Sequence, residues 1–331
     1  MTEPRYDVIA IGNAIVDVMA PCDDALIEEL QLAKGGMTLI DADGARDLYS
    51  AMGPAKEISG GSAANTLTGL AALGSQCAFI GQVANDQLGD VFSHDIRAVG
   101  IDFDTAPREG EPPTARCLIF VTPDGERTMN TFLGASQFLP AKALDLDLIA
   151  DSAVLYLEGY LWDPEEPRAA MRKAIAAARE AGTKVALTPS ESFVIDMHGD
   201  DFRALIDEGQ IDILFANESE MATLVGTDDF EDGLAQLSAK VPVIAVTRGA
   251  NGAVAIAGGE RAETKALPVD EVVDTTGAGD LFAAGFLSGL TNGKNLADCL
   301  TMGATCAAEI ISHYGARPEG DLRALVDANL A

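Results

Sequence analysis

The sequence predicts an α/β fold in which helices cover both faces of a mostly parallel sheet. Short apolar runs that are typical of buried strands recur along the chain, and segments of helical composition separate most of them. This alternation is typical of a parallel sheet covered on both faces. Two stretches, residues 14–49 and 101–135, break the alternation and are richer in turn residues. They predict a small β-sheet lid over one end of a larger domain.

The predicted strands of the large domain are short apolar runs. The first, residues 8–11, ends at Gly12 and places Asn13 and Asp17 just beyond its end. The others lie at residues 78–80, 154–157, 185–187, 211–215 and 243–246, and helical segments lie at 62–73, 169–181 and 295–311. The large domain is therefore predicted to comprise residues 1–13, 50–100 and 136–331.

The lid is predicted from residues 14–49 and 101–135, with strands at 117–121 and 128–132 around the turn Pro123-Asp124-Gly125. Because the two stretches are separated in sequence but similar in character, we expect them to pair into one small sheet. The sequence has no internal repeat, low-complexity tract or proline-rich linker, which argues against independent tandem domains.

The composition indicates a large core and a strongly acidic surface. The chain has 331 residues, 48% of them hydrophobic, which suits one large domain with a smaller appendage. A formal net charge of -30 would repel nucleic acid and anionic lipid. We interpret this acidity as a solvated surface, and adaptation to a salty cytoplasm is the alternative. We expect neither a nucleic-acid partner nor a membrane partner.

The cysteines and the N-terminal residues predict a cytoplasmic enzyme. The five cysteines are odd in number and include no C-x-x-C pair, so neither a disulfide framework nor a zinc ribbon is indicated. The N-terminal residues lack the pattern of a signal peptide, and no apolar run approaches the roughly 18 to 20 residues that span a bilayer.

The segment Asp274-Thr275-Thr276-Gly277-Ala278-Gly279-Asp280 predicts a phosphate site. It lies directly ahead of a helix whose apolar stripe recurs at Phe282, Phe286 and Leu290. Backbone N–H groups at a helix start lack intrahelical partners and lie at the positive end of the helix dipole, so they bind anions. The glycines let the main chain approach the anion closely, which leaves Asp280 as a candidate base. We interpret the segment as a phosphoryl-transfer site.

The chemistry expected of this segment is positioning and charge stabilisation. Phosphoryl transfer has a loose transition state and needs little covalent help from the protein. The N–H groups of Ala278, Gly279 and Asp280 are expected to stabilise the oxygens of the moving phosphoryl group. A carboxylate at a helix N-terminus is expected to have a low pKa, which argues against Asp280 as a general acid.

A second glycine cluster, Gly60-Gly61-Ser62, precedes the predicted helix that contains Asn65. Its glycines allow close approach to a ligand, and Asn65 offers both a donor and an acceptor to a hydroxyl-bearing substrate. Taken alone, the cluster is also typical of a glycine turn with a serine helix cap. The chain lacks G-x-x-x-x-G-K-[ST], and the glycine after the first strand does not begin G-x-G-x-x-G, which disfavours P-loop and classical dinucleotide folds.

Together these motifs resemble those of the PfkB, or ribokinase-like, carbohydrate kinases, and the likeness covers nearly the whole chain. Asn217-Glu218-Ser219-Glu220 resembles the family's N-x-x-E motif, and Thr247-Arg248-Gly249-Ala250-Asn251-Gly252 resembles its nucleotide-side glycine turn. The resemblance implies an ATP-dependent kinase with a ribokinase-like three-layer α/β/α domain, a central mostly parallel sheet and a small β-sheet lid.

Within the family the likeness is greatest to the adenosine kinases. Gly12-Asn13-Ala14-Ile15-Val16-Asp17 is similar to their G-N-x-x-x-D opening, and the Gly60 to Ser62 turn is similar to their ribose-side turn. The resemblance implies a ribose site formed by Asn13, Asp17, Gly60, Gly61, Ser62 and Asn65. It also implies that Asp280 accepts the proton of the 5′-hydroxyl. From the residues alone, Asn13 and Asp17 are equally typical of a turn after the first strand.

The resemblance also implies a nucleotide side that binds ATP, Mg²⁺ and K⁺. Magnesium keeps most of its waters, so Asn217 and Glu220 are expected to hold it through water, although the pair is also typical of a capped helix start. Backbone carbonyls of Asp274, Thr276 and Gly315 are implied to bind K⁺. The implied ATP-binding residues are Asn217, Glu220, Thr247, Arg248, Gly249, Gly252, Thr276, Gly277, Gly279 and His313.

Two parts of the implied site have alternatives. Arg127 corresponds to a lid arginine that meets phosphate in the family, but Arg116 and Arg248 are also candidates. A purine is expected to lie among a group of apolar side chains. The alternative is that these side chains form the core of the lid. These side chains are Met37, Met129, Leu133, Leu161 and Trp162.

The function expected from the sequence is therefore phosphorylation of the 5′-hydroxyl of a nucleoside, adenosine to AMP, as in purine salvage. The alternatives are a kinase of the same fold that acts on ribose, fructose or another free sugar, and a non-catalytic binding or regulatory protein. Both a monomer and a homodimer are compatible with the sequence, because lids of this family either stand alone or clasp a partner.

Overall fold

The computed structural model describes residues 4–330, and within that range the chain forms one large sheet and one small sheet. In spatial order the large sheet comprises β14 (Glu260–Thr264), β13 (Ala253–Ala257), β12 (Val243–Thr247), β11 (Ile213–Asn217), β10 (Lys184–Thr188), β9 (Ser152–Glu158), β1 (Tyr6–Ile11), β5 (Cys77–Ile80) and β6 (Ile101–Asp102). Neighbouring strands are parallel from β12 through β6, and β13 is antiparallel to both of its neighbours. The predicted mostly parallel sheet is confirmed.

Helices cover both faces of the large sheet, because successive strand residues point to opposite faces. Val8 and Ala10 belong to one apolar core, and Ile9 and Ile11 belong to the other. The first core includes α3 (Ser62–Ala72), α4 (Gln87–Ala98), α10 (Ala278–Thr291), α11 (Leu296–Ile310) and α12 (Leu322–Leu330). The second includes α5 (Leu146–Ala150), α6 (Glu165–Ala181), α7 (Ser192–Asp207), α8 (Glu218–Val225) and α9 (Phe230–Ser238). The three-layer architecture is confirmed.

The small sheet lies over the carboxyl ends of the large sheet's strands, and its outer face is covered. Its strands are, in order, β3 (Met37–Leu39), β8 (Arg127–Phe132), β7 (Ala115–Val121), β2 (Ile15–Pro21) and β4 (Lys56–Gly60). Outward-facing Val18, Leu118 and Phe120 pack in one cluster with Ile27 of α1 (Asp24–Glu29) and Leu48 of α2 (Ala42–Ala51). The inner face of the small sheet is therefore left available to contact a ligand.

The small sheet departs from the predicted lid at two strands. Strand β4 belongs to it through antiparallel pairing with β2, although residues 50–100 were assigned to the large domain. Strand β6 lies at the edge of the large sheet, although residue 101 was assigned to the lid. Both strands are short, and β4 carries too few apolar residues to show a strand pattern.

Side-chain caps define where several helices begin. Asp86 accepts a hydrogen bond from Gly89 N–H at the start of α4, and Asn295 accepts one from Asp298 N–H at the start of α11. Such caps satisfy backbone donors that have no partner inside the helix. None of the helices between residues 4 and 330 combines the length and apolarity needed to cross a membrane.

Candidate active site

A cleft of about 670 Å³ lies between the inner face of the small sheet and the carboxyl ends of the large sheet's strands. Ligands of open α/β sheets bind at this end of the strands. The cleft brings together these predicted residues: Asn13, Asp17, Met37, Gly61, Ser62, Asn65, Met129, Leu133, Asn217, Glu220, Thr247, Thr276, Gly277, Ala278, Gly279 and Asp280. Its lining does not include Gly60, Arg127, Leu161, Trp162, Arg248, Gly249, Gly252, Asp274, His313 or Gly315.

The start of α10 has the geometry of an anion cradle. Gly277 has a φ of 78°, and a Cβ there would lie 2.8 Å from the Cβ of Ala316, so only glycine suits the position. Among the described residues, the N–H groups of Gly279 and Asp280 have no hydrogen-bond partner, whereas Ala278 N–H donates to the Thr275 carbonyl at 3.2 Å. The cradle therefore presents two of the three N–H groups expected from the sequence.

The two glycine motifs meet at Asp280. Ser62 Oγ donates to one carboxylate oxygen of Asp280 at 2.6 Å, and Asn65 Nδ2 donates to the other at 3.1 Å. Both donors come from the first turn of α3, which packs along α10. These contacts fix the Asp280 carboxylate at the mouth of the anion cradle.

The pKa of Asp280 lies above its ordinary value, opposite to the direction expected from the sequence. Burial in the cleft raises this pKa, while hydrogen bonds from Ser62 and Asn65 and the charge of Arg317 lower it by less. Desolvation therefore outweighs the favourable position at a helix N-terminus. A raised pKa increases the affinity of the carboxylate for a proton, which suits a base.

Glu158 joins Asn13 to the start of α3 on the polar side of the cleft. The sequence motifs did not identify it. Its carboxylate accepts from Asn13 N–H at 3.0 Å, from Asn13 Nδ2 at 2.6 Å and from Ala63 N–H at 2.9 Å. Burial raises its pKa to about 7, against these hydrogen bonds. Its position at the carboxyl end of a predicted strand was the available signal.

The Asp17 carboxylate faces the cleft without a hydrogen bond from the described part of the chain. Burial raises its pKa to about 6, and the positive charges of Arg317 and Arg127 oppose this effect. The Gly60 backbone lies against this carboxylate, outside the cleft lining. Gly61 has a φ of 99°, and a Cβ there would lie 2.3 Å from the Asn13 carbonyl oxygen. The turn therefore requires glycine, and it leaves Asp17 free to accept from a ligand.

Arg317 is a second residue that the motifs missed. Its guanidinium donates to the Ser59 carbonyl at 2.6 Å and to the Ala64 carbonyl at 3.1 Å, so it bridges the two ends of the glycine turn. Burial lowers its pKa to about 10, against the charges of Asp17 and Asp280. The sequence around Arg317 carries no pattern that indicates this contact.

On the nucleotide side, Asn217 and Glu220 form a capping box and also line the cleft. Asn217 Oδ1 accepts from Glu220 N–H at 2.8 Å, and the Glu220 carboxylate accepts from Asn217 N–H at 2.9 Å and from Asn217 Nδ2 at 2.7 Å. Burial raises the pKa of Glu220 to about 7. The pair therefore combines the capped helix start with an acidic group that faces the cleft.

The three candidate phosphate arginines lie outside the cleft lining. Arg127 forms a buried ion pair with Asp274. Arg248 donates to Glu218 at 2.8 Å, and its guanidinium lies 4.0 Å from the centroid of the Phe230 ring. Arg116 lies over aromatic rings on the outer side of the small sheet. In this structure the unpartnered N–H groups at the start of α10 line the cleft, and these three arginines do not.

Other predicted residues also lie away from the cleft. Leu161 and Trp162 are fully buried in the large domain's core, because the short 3-10 turn Gly159–Trp162 directs them inward, so the base-pocket role expected of them does not fit. His313 pairs with Glu309 at 3.1 Å. Gly249 and Gly252 form the turn that follows β12.

An apolar wall of the cleft was only partly predicted. Met37 and Leu39 of β3 are 44% and 56% exposed, and Phe193 and Met197 of α7 are 41% and 55% exposed. All four line the cleft, and the sequence predicted only Met37. The available signal was the spacing of Phe193 and Met197, which places them on one side of a helix. We call these four side chains, two from the small sheet and two from α7, the apolar wall.

Comparisons with known proteins identify the family to which this chain belongs. The pfkB family carbohydrate kinase description matches residues 31–321. The adenosine kinase from Sinorhizobium meliloti is 48% identical, over 98% of this chain and 99% of that chain, with a TM-score of 0.90. A probable sugar kinase protein from Rhizobium etli CFN 42 is 47% identical, over 99% of this chain and 100% of that chain, with a TM-score of 0.91. A fructokinase from Klebsiella pneumoniae is 30% identical, over 78% of this chain and 87% of its own length.

These relatives act on different substrates according to their names, but they share one kinase fold. The family match extends over most of the chain, and it includes the anion cradle and the residues around Asp280. The chain therefore belongs to the pfkB family of carbohydrate kinases, and it is an ATP-dependent kinase of a sugar or a nucleoside.

Proposed function

We propose that this protein transfers the terminal phosphoryl group of ATP to the 5′-hydroxyl of a nucleoside, converting adenosine to AMP. The observation that carries the proposal is the apolar wall beside the polar groups of the cleft. Exposed apolar side chains in a cleft are typical of a binding site, and a planar purine gains from their contact. A free sugar carries hydroxyls on most of its carbons and would leave this wall uncovered.

The polar half of the cleft suits the ribose. Asp17 accepts hydrogen bonds from ribose hydroxyls, and the Glu158 contacts hold Asn13 beside it. The 5′-hydroxyl then lies at Asp280, next to the anion cradle. The 5′-oxygen forms a bond to the terminal phosphorus of ATP, the bond to the bridging oxygen breaks, Asp280 takes the hydroxyl proton and ADP leaves. The N–H groups of Gly279 and Asp280 stabilise charge on the phosphoryl oxygens.

The residues at Asn217 and Glu220 fit a magnesium ion that is held through water. Each Glu220 oxygen accepts one hydrogen bond from Asn217 and keeps another lone pair for a water molecule. Magnesium prefers oxygen ligands and retains several waters, so few direct protein ligands are needed. A magnesium ion held there with ATP would neutralise charge on the phosphates.

Truncating the apolar wall is expected to weaken nucleoside binding selectively. In Phe193→Ala the KM for adenosine should rise about tenfold, because a large aromatic contact to the base is lost. Any slow turnover of free ribose should stay unchanged, since ribose does not reach this wall. Steady-state kinetics with both acceptors measures the difference.

Phe230→Ala provides the matched control, because Phe230 is a half-buried phenylalanine at the start of a neighbouring helix outside the cleft. This substitution should leave the KM for adenosine and the KM for ribose within about twofold of the wild-type values. An equal loss for adenosine and ribose in Phe193→Ala, or no loss for adenosine, would contradict the proposed base site.

The alternative is a kinase of a free sugar such as ribose or fructose. The polar half of the cleft favours it, because Asp17, Asn65 and Asp280 suit the hydroxyls of either kind of acceptor. The apolar wall would then have no role in substrate binding.

A further inference from the structure

The Asp274 carboxylate joins the lid to the turn that precedes the anion cradle. One carboxylate oxygen accepts from Thr276 N–H at 3.0 Å and from Thr276 Oγ1 at 2.7 Å. The other accepts from Gly315 N–H at 2.9 Å and from the Arg127 guanidinium. An ionised carboxylate has about four lone-pair sites, so these four donors saturate it.

The Arg127–Asp274 ion pair is buried, and it connects the small sheet to the large domain. Arg127 begins strand β8 of the small sheet, whereas Asp274 lies just before α10 of the large domain. Their side chains are 6% and 7% exposed. A buried carboxylate is costly without a cation or donors around it, and Arg127 provides the positive charge here.

The potassium ion that the family resemblance implies does not fit this arrangement. It was expected on the backbone carbonyls of Asp274, Thr276 and Gly315. These three residues carry one negative charge among them, the Asp274 carboxylate, and its four donors leave no lone pair to balance the charge of a further cation. A second cation at this turn would also lie close to the Arg127 guanidinium in a poorly solvated site, where like charges repel strongly. The positive charge that the turn needs is already provided by the chain.

We infer that the Arg127 guanidinium takes the place of a monovalent cation, so that the turn leading into the anion cradle is organised without an alkali metal ion. Arg127 acts through Asp274, which holds Thr276 next to Gly277. Arg127 is therefore a positioning residue. Through Asp274 it links the position of the small sheet to the conformation of the turn that precedes the anion cradle. The inference concerns the phosphate side and does not depend on which acceptor is phosphorylated.

Thermal unfolding of the full chain tests the inference directly. The Tm is measured in KCl and in tetramethylammonium chloride at equal ionic strength, with and without ADP. For the wild type we expect the same Tm and the same ADP affinity in both salts. In Arg127→Gln, which leaves Asp274 without its cation, we expect a lower Tm in tetramethylammonium and a saturable increase with KCl. Arg127→Lys keeps a positive charge and should show no such increase.

A saturable, K⁺-specific rise in the Tm or ADP affinity of the wild type would overturn the inference. So would an Arg127→Gln variant that responds equally to both salts. If Arg127→Gln folds only in KCl, the inference is supported. If the variant is not recovered in either salt, the wild-type titration still decides, because it needs no substitution.

Discussion

Replacing Asp280 with asparagine is expected to lower kcat about a thousandfold while changing the KM for ATP only a few-fold. The substitution keeps the shape of the side chain and its contact with Ser62 Oγ, but removes the group that accepts the hydroxyl proton. The raised pKa of Asp280 suits the proposed base, because it increases the affinity of the carboxylate for a proton. Single-turnover measurement of phosphoryl transfer at saturating substrate isolates this step from binding.

Asp298→Asn is the matched control for this prediction. Asp298 occupies the same position in the first turn of α11 that Asp280 occupies in α10, but it lies outside the cleft lining. Its replacement should leave kcat within about twofold. If Asp280→Asn retains kcat within a few-fold of the wild type, Asp280 is not the base.

Asp17→Asn is expected to weaken acceptor binding by about tenfold to a hundredfold, with a smaller effect on kcat. A hydrogen bond to a charged group contributes about 1.5–3 kcal/mol, and the Asp17 carboxylate has no partner within the described residues that would compensate. Calorimetric titration with the acceptor measures the loss. Asp102→Asn, on an edge strand outside the cleft lining, serves as the control.

The pH dependence of binding separates the charge of Asp17 from its shape. Burial raises the pKa of Asp17 to about 6, so the carboxylate becomes protonated as the pH falls below that value. Because the ionised form accepts the ribose hydroxyls, wild-type affinity should fall about tenfold from neutral pH to about pH 5. Asp17→Asn should lose this part of the pH dependence. An unchanged acid limb in the variant would assign the titration to another group.

Much of the fold was predictable because its signals are local. The apolar stripe through Phe282 and Phe286 predicted α10, and the two rings stack in the core. The polar edge strand β14 and the short strand β4 were missed, since neither has an apolar run. The 3-10 turn that buries Leu161 likewise left no local pattern.

The candidate site was predictable where a motif carries its own chemistry. The small residues before α10 predicted the anion cradle, and Ser62 and Asn65 proved to contact Asp280. Glu158 and Arg317 were missed because each acts through backbone groups distant in sequence. The direction of the Asp280 pKa shift was mispredicted for a related reason. The sequence shows that Asp280 lies at a helix N-terminus, but the burial of its carboxylate depends on residues from the whole cleft.

The most direct test of the central claim is a competition between acceptors. Adenosine, inosine, guanosine, ribose and fructose are supplied together at equal concentration with limiting ATP and Mg²⁺, and the phosphorylated products are separated and identified by mass spectrometry. We expect the phosphoryl group to appear mainly in AMP, with the phosphate on the 5′-oxygen. Transfer mainly to ribose or fructose, with adenosine left unchanged, would contradict the nucleoside assignment.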